Sequence, residues 1–439
     1  MTNKPKSDLT NLIEANATNA DIIKNTTAYC VMPWSHLHVA TTGDVLPCCI
    51  ADWQHSLGNL NDMTYDEIWN GEKMREFRRS MADDKKHKSC KSCYEKEATG
   101  SWSQRIDGIN KFQKTVAPWV LNTESDGTST DSKPIYWDIR FSNICNMRCR
   151  MCGHFASSRW FADAKKLEKD YNDNKYLTGD SSKAIMHSVS DSQGLLDRLE
   201  EYLPHVEELY FAGGEPLIMD EHYRIIEYLH TNKLFKTKIR YSTNLAKLIY
   251  KRKDIVELWK DFEWVECVAS LDATGKRAEI LRKDTVWQDI LDNSYRIKKE
   301  APNVWFRIAP TVQILSIIKL PELHKEFLTR GLLGPNDCFY NILSTPQHHN
   351  IQALPPELKQ TVREIWTEYR DWLTTTYNPA KLHTVLGTID HTLTFMDAQQ
   401  LPDHHLYAFV KKTKALDKIR NEDTPATFPE LDFIWNNYS

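Results

Sequence analysis

The sequence has no long apolar run: nowhere do about 18 apolar residues stand together, the length a membrane-crossing helix requires. Its opening, MTNKPKSDLTNLIEANATNADIIKNTTAYC, is polar and lacks the apolar core of a secretion signal. A one-sided charge is missing as well. The 56 Lys and Arg nearly balance 60 Asp and Glu, so the chain as a whole has no field that would draw in nucleic acid or acidic lipid. Internal repeats and long low-complexity tracts are absent. Together these absences predict a cytoplasmic protein with no nucleic-acid and no membrane partner.

What is present is the material for a core and an uneven distribution of cysteine. With 439 residues and 41% hydrophobic content, the chain has length for roughly three domains. Ten cysteines in a reducing compartment argue for metal ligation over a disulfide framework. Eight are grouped: Cys30, Cys48 with Cys49, Cys90 with Cys93, and the triplet Cys145, Cys149 and Cys152. The triplet, in RFSNICNMRCRMCGHF, has the spacing C-x3-C-x2-C and no fourth member. A structural zinc site closes with four ligands, so a zinc reading must borrow one, with His154 the nearest candidate. An iron-sulfur cubane normally takes one thiolate per iron, so three thiolates leave one iron for another ligand.

Composition divides the chain. Residues 1–29 are a polar N-terminal segment, and 30–100 carry the first cysteine group. Residues 101–134 are expected as a linker, ending in the turn-forming NTESDGTSTDSKP. From 135 to 345, β-rich runs alternate with amphipathic helical patterns: YWDIRF (136–141), ELYFA (208–212), KIRYST (238–243), VECVASL (265–271), VWFRIAPTV (304–312) and FYNIL (339–343). Strands alternating with helices predict an α/β fold with a parallel sheet. Residues 346–439 read as helices packed on that core or covering its mouth, with Leu358, Val362, Ile365, Trp366, Tyr369 and Trp372 at helical spacing.

In parallel α/β folds, functional groups collect in the loops after the strands. The triplet follows the first strand, GGEPL the second, TN the third and SLDATG the fourth, so all four are expected on one rim. Gly213 and Gly214 allow close backbone approach, and Pro216 turns Glu215 away from helical geometry, leaving its carboxylate to accept from a ligand ammonium. Cys267 and Cys338 fall inside strands and read as buried small hydrophobes.

CNMRCRMC after a first strand, GGEPL after a second and six βα units resemble the radical S-adenosylmethionine (SAM) enzymes over about residues 135–345. The resemblance implies a partial (β/α)6 TIM-type barrel in which Cys145, Cys149 and Cys152 hold a 4Fe-4S cluster whose open iron chelates SAM. An electron from the cluster then cleaves SAM to a 5'-deoxyadenosyl radical that abstracts a hydrogen atom from substrate. It further implies that Gly213, Gly214, Glu215 and Pro216 contact the SAM amino group, that Thr243, Asn244, Ser270 and Asp272 are the later strand-end contacts, and that Arg282 pairs with the SAM carboxylate. Met151 stands where an aromatic adenine contact is usual.

The first cysteine group has Cys30, twelve residues, Gly43, four residues and Cys48, then GNLNDMTYDEIWN with capping-box spacing at Thr64 and Glu67, then C-x2-C. From the residues alone, zinc is the commonest tenant of four such thiols. The arrangement resembles the twitch domain, the one-cluster relative of SPASM, here at the N-terminus as a small α+β domain. That resemblance implies one auxiliary 4Fe-4S cluster on Cys30, Cys48, Cys90 and Cys93, with Cys49 as the alternative to Cys48. Implied partners are a flavodoxin- or ferredoxin-type electron donor and a peptide or protein substrate, as in peptide-modifying maturases. A small molecule such as a sugar or aminoglycoside is the alternative substrate, and a noncatalytic iron-sulfur or zinc protein for electron transfer or interaction is the alternative of another class. No catalytic acid or base is assigned.

Overall fold

The computed structural model describes residues 8–98, 102–173, 175–177 and 182–439. The start of the polar N-terminal segment and residues 99–101, where the linker was expected to begin, lie outside the described residues. Spatial clustering divides the chain into two units. The first takes residues up to Ser142 with His187–Ala212 and Thr231–Lys238; the second takes Asn143–Met186, Gly213–His230 and Ile239–Ser439.

In the first unit, Gly43 sits at φ 86, a conformation that L side chains rarely adopt, and turns the strand His36–Val39 into its antiparallel partner Asp44–Leu46. Gly58–Asn59 adds a third short strand. The other edge of 36–39 would expose unpaired backbone groups, and Tyr136–Ile139 pairs with it in parallel, His38 opposite Asp138. Glu208–Phe211 then pairs in parallel with 136–139. The first two strands of the expected barrel region therefore cluster with the N-terminal cysteine region, and the division of the molecule does not fall at residue 134. The expected capping box is present: Thr64 accepts from the Glu67 N–H, and the Glu67 carboxylate accepts from the Thr64 N–H at 2.8 Å, opening the helix Tyr65–Trp69.

The linker expectation for 101–134 is corrected. Gln104–Leu121 is an 18-residue helix begun by Ser103, which accepts from the Ile106 N–H. Its Ile109, Phe112 and Val116 recur at helical spacing and are buried in one cluster with Tyr29, Trp34 and Tyr136. The polar run after it is anchored as well: Thr123 accepts from the Trp34 indole at 2.8 Å, and Ser132 from the Trp69 indole at 3.2 Å. Its turn-forming residues serve caps and side-chain hydrogen bonds, which composition does not distinguish from a tether.

In the second unit, the strand Lys238–Thr243 from Ile239 onward, Val265–Ala269 and Val304–Ile308 run parallel, with Val265 opposite both Ile239 and Val304. The central strand is buried along its whole length, as expected of a parallel strand covered on both faces. The expected strand 304–312 breaks at Pro310, which has no N–H to give; Thr311–Val312 instead pairs in parallel with Asn341–Ile342. Helices Asp220–Thr231, Gly275–Leu281, Trp287–Glu300 and Leu320–Thr329 alternate with these strands. The tail forms Pro356–Thr376, His383–Asp397 and His404–Arg420. The chain is thus α/β, with mostly parallel strands and intervening helices. Cys267 and Cys338 are fully buried. No described helix is long and apolar enough to cross a membrane.

Candidate functional site

The cysteine loop of the second unit is held by its own neighbours. The Cys149 carbonyl accepts from the Cys152 N–H at 3.0 Å and from the Trp160 indole at 2.8 Å, and the Met147 carbonyl accepts from the Ser157 hydroxyl at 2.6 Å. His154 is fully buried with Nε2 at 2.9 Å from the Ala184 carbonyl, a structural contact that takes one ring nitrogen away from ligation. Arg150, between two cysteines, reaches the Ile280 carbonyl at 3.3 Å and pairs with Asp417 and with Glu422 (2.5 Å), fastening the loop to the 404–420 helix and the turn after it.

The GGEP segment lies directly on this loop. The Glu215 N–H donates to the Ile144 carbonyl at 2.7 Å, and a Cβ on Gly214 would stand 2.1 Å from that same oxygen. Gly213 adopts φ 89. Only glycine allows both the turn and the approach. The Glu215 carboxylate accepts from the Leu217 N–H (3.2 Å), the Thr243 hydroxyl (2.7 Å) and the Asn244 N–H (2.7 Å). Burial pushes its pKa up to about 7 against these donors and the Arg282 charge, which pull it down. Asn244 donates to Asn146 Oδ1 at 2.7 Å and stands 3.9 Å from Cys145 Sγ. Two sequence-predicted groups, the GGEP turn and the Thr-Asn strand end, therefore meet at the triplet.

Arg282 and Asp272 were expected as separate ligand contacts, and they pair with each other: Nε–Oδ2 is 2.8 Å and Nη2–Oδ1 3.1 Å. Asp272 also accepts from the Thr311 N–H at 2.7 Å. Arg282 Nη1 reaches Cys149 Sγ at 3.6 Å, a charge-assisted contact suited to a thiolate. Ser270 joins the group through backbone alone, its N–H donating to Thr243 at 2.8 Å. Burial raises the pKa of all three triplet thiols, Cys152 to about 12, so ligation has to displace their protons. The donor set is three soft sulfurs amid hydrogen-bond donors, which fits a cluster with one iron left open. Met151 and Cys152 line a cavity of about 730 Å³.

The first unit has a separate, small cavity walled by Cys30, Cys48, Cys90 and Cys93 together with Phe77 and Arg105. Cys49 is not among its lining residues. Proximity of the other thiols adds to burial in raising Cys30 and Cys48, and Cys90 stands at about 11. Four convergent soft donors with largely apolar surroundings fit a fully thiolate-ligated cluster.

A buried polar group in the first unit escaped sequence reasoning. His36 and His38 lie on one face of their strand, beside Asp138 on the next, with ligating atoms within 4.8 Å of one another. Arg140 already engages that carboxylate, Nε–Oδ1 at 2.7 Å and Nη2–Oδ2 at 2.9 Å, so the group is a compensated ion pair. The available signal was the alternation His36-x-His38 and Asp138-x-Arg140 at strand period.

No curated protein sequence matches the chain. Among solved structures, SuiB of Streptococcus suis bound to S-adenosylmethionine aligns at 16% identity and TM-score 0.34, covering 61% of this chain and 51% of that one. Native anSMEcpe with bound AdoMet and Cp18Cys peptide aligns at 15% and 0.35, covering 54% and 60%. SuiB bound to precursor peptide SuiA aligns at 14% and 0.36, covering 79% and 70%. The chain thus spans 51% and 60% of the first two. Residues 30–94, which contain all four thiols of the first cavity, match the family model of SPASM, an iron-sulfur cluster-binding domain.

Proposed function

We propose that the chain is a radical SAM enzyme with an auxiliary iron-sulfur domain at its N-terminus, acting on a peptide or protein. The observation that carries this reading is the convergence of Glu215, Thr243 and Asn244 on the loop of Cys145, Cys149 and Cys152. A 4Fe-4S cluster held there would supply the electron for reductive cleavage of SAM and so for hydrogen-atom abstraction from substrate. The chain's own residues do the holding. Cys145, Cys149 and Cys152 would hold the cluster, and Arg282 would steady the Cys149 thiolate. Glu215, kept buried between the Thr243 hydroxyl and the Asn244 N–H, offers an acceptor to the SAM ammonium. Gly213 and Gly214 let that turn lie against the loop, and Pro216 sets its direction. Met151 faces the cavity beside Cys152, where the adenine would rest. In the first unit, Cys30, Cys48, Cys90 and Cys93 hold the auxiliary cluster; the SPASM match favours iron-sulfur over zinc.

A flavodoxin- or ferredoxin-type protein would supply the electron. No described cysteine is in a disulfide, which suits a cytoplasmic setting. Anaerobically reconstituted protein given dithionite and SAM is expected to release 5'-deoxyadenosine slowly without substrate. Intact clusters with no release would overturn the reading.

A further inference from the structure

The cavity beside Cys152 does not end there. Its walls include Lys175, Ala408 and Lys412, and these also line a second cavity of about 270 Å³. Tyr171, Lys411 and Ala415 pass from that one to a third, of about 460 Å³, bordered by Tyr407, Lys414 and Lys418. The three form a groove along the helix His404–Arg420, from the cysteine loop outward, wholly within the second unit. Sites for small molecules enclose about 300–1,000 Å³. The first cavity alone falls within that range, but it continues through the other two along about four turns of one helix, a shape suited to an extended chain.

The groove has a charge of one sign along most of its length. Lys411, Lys414 and Lys418 are exposed and recur at i, i+3 and i+7, one face of the helix. Lys175 is exposed beside them. His404 and His405 stand at the helix N-terminus, where the backbone dipole adds positive potential. His348 Nε2, in the wall nearest Cys152, is buried without a hydrogen-bond partner. The described acid in the lining is Asp173, which pairs with Lys412 and accepts from the Lys175 N–H at 3.3 Å. Tyr171, Tyr407 and Tyr438 provide flat contact surface between the lysines.

We infer that this groove binds an acidic, extended segment of the peptide or protein substrate and leads it towards the cysteine loop. The inference rests on the proposed function for the word substrate, while the groove's preference for an anionic polypeptide rests on its own residues. The chain's net charge of -4 makes nucleic acid the less favoured polyanion, because the basic stretch is local.

The test is fluorescence anisotropy with the full-length protein and three labelled probes of equal length: a glutamate-rich peptide, a serine-glycine peptide and single-stranded DNA. The acidic peptide is expected to bind tightest, and added salt to weaken it. Charge reversal by Lys411→Glu, Lys414→Glu and Lys418→Glu together should weaken it about tenfold or more, with the corresponding Gln variants in between. A thermal melt matching the parent secures the folded state of these surface variants. Equal binding of acidic and neutral peptides, unchanged binding by the charge-reversed protein, or tighter binding of DNA would each overturn the proposal. Because the measurement needs neither electron nor SAM, its failure is separate from a failure to release 5'-deoxyadenosine.

Discussion

The two cysteine sites differ in number and in company. In the first unit, Cys30, Cys48, Cys90 and Cys93 enclose a small cavity among side chains such as Phe77, and four thiols complete a cluster's protein ligation. In the second, Cys145, Cys149 and Cys152 lie among Asn244, Arg282 and Glu215, polar groups beyond what a saturated cluster calls for. The first site has polar neighbours too, Ser89 beside Cys90 and the Arg105 charge acting on Cys30, so what sets the second apart is the buried Glu215 carboxylate next to three thiols in place of four.

The sharpest way to break the comparison is Cys149→Ala. It should abolish SAM cleavage while the first unit keeps its iron; undiminished 5'-deoxyadenosine release would end the distinction. Cys90→Ala with Cys93→Ala should remove about half the bound iron, whereas Cys49→Ala should leave the iron content unchanged. Loss of zinc with unchanged iron in the paired variant would make the first site a zinc module. Next in size is Arg150→Ala, which leaves Glu422 with Lys283 and Asp417 with the Thr424 N–H and hydroxyl, and should cost about 1.5–3 kcal/mol in urea unfolding of the cluster-free protein. A cost under about 1 kcal/mol would mean that the tail does not clamp the triplet loop.

The smallest effect is in pH. Glu215 is raised by burial from 4.5 to about 7, so the folded chain holds its proton more firmly than the unfolded one. Its contribution to stability is complete below about 4.5 and declines as pH rises through about 7. Glu215→Gln should flatten that part of the cluster-free stability profile; an unaltered slope would mean that the carboxylate titrates normally.

Much of the second site was legible because its parts are local. Triplet spacing, two glycines before Glu-Pro, and Thr-Asn at a strand end are short patterns, and parallel strands bring their C-terminal ends together. The pairing of Arg282 with Asp272 was not legible, since nothing in the local sequence says which of a loop's charges face each other. Residues 104–121 were misread for a different reason: the polar run after the helix set the expectation, and burial of Ile109, Phe112 and Val116 depends on residues far along the chain.

By itself, then, the sequence determined the α/β alternation, the two cysteine groups and the turn chemistry of GGEP, all consequences of spacing within a few residues. Tertiary structure decided which strand covers the 36–39 edge, that Cys48 and not Cys49 faces the four-thiol cavity, and that Arg150 meets Asp417 across a separation of 267 residues. It also laid Lys412 of the tail in the wall of the cavity that Cys152 lines. Such choices follow from burying charge and pairing backbone groups over long distances, and a chain read residue by residue carries no record of which distant partner will supply them.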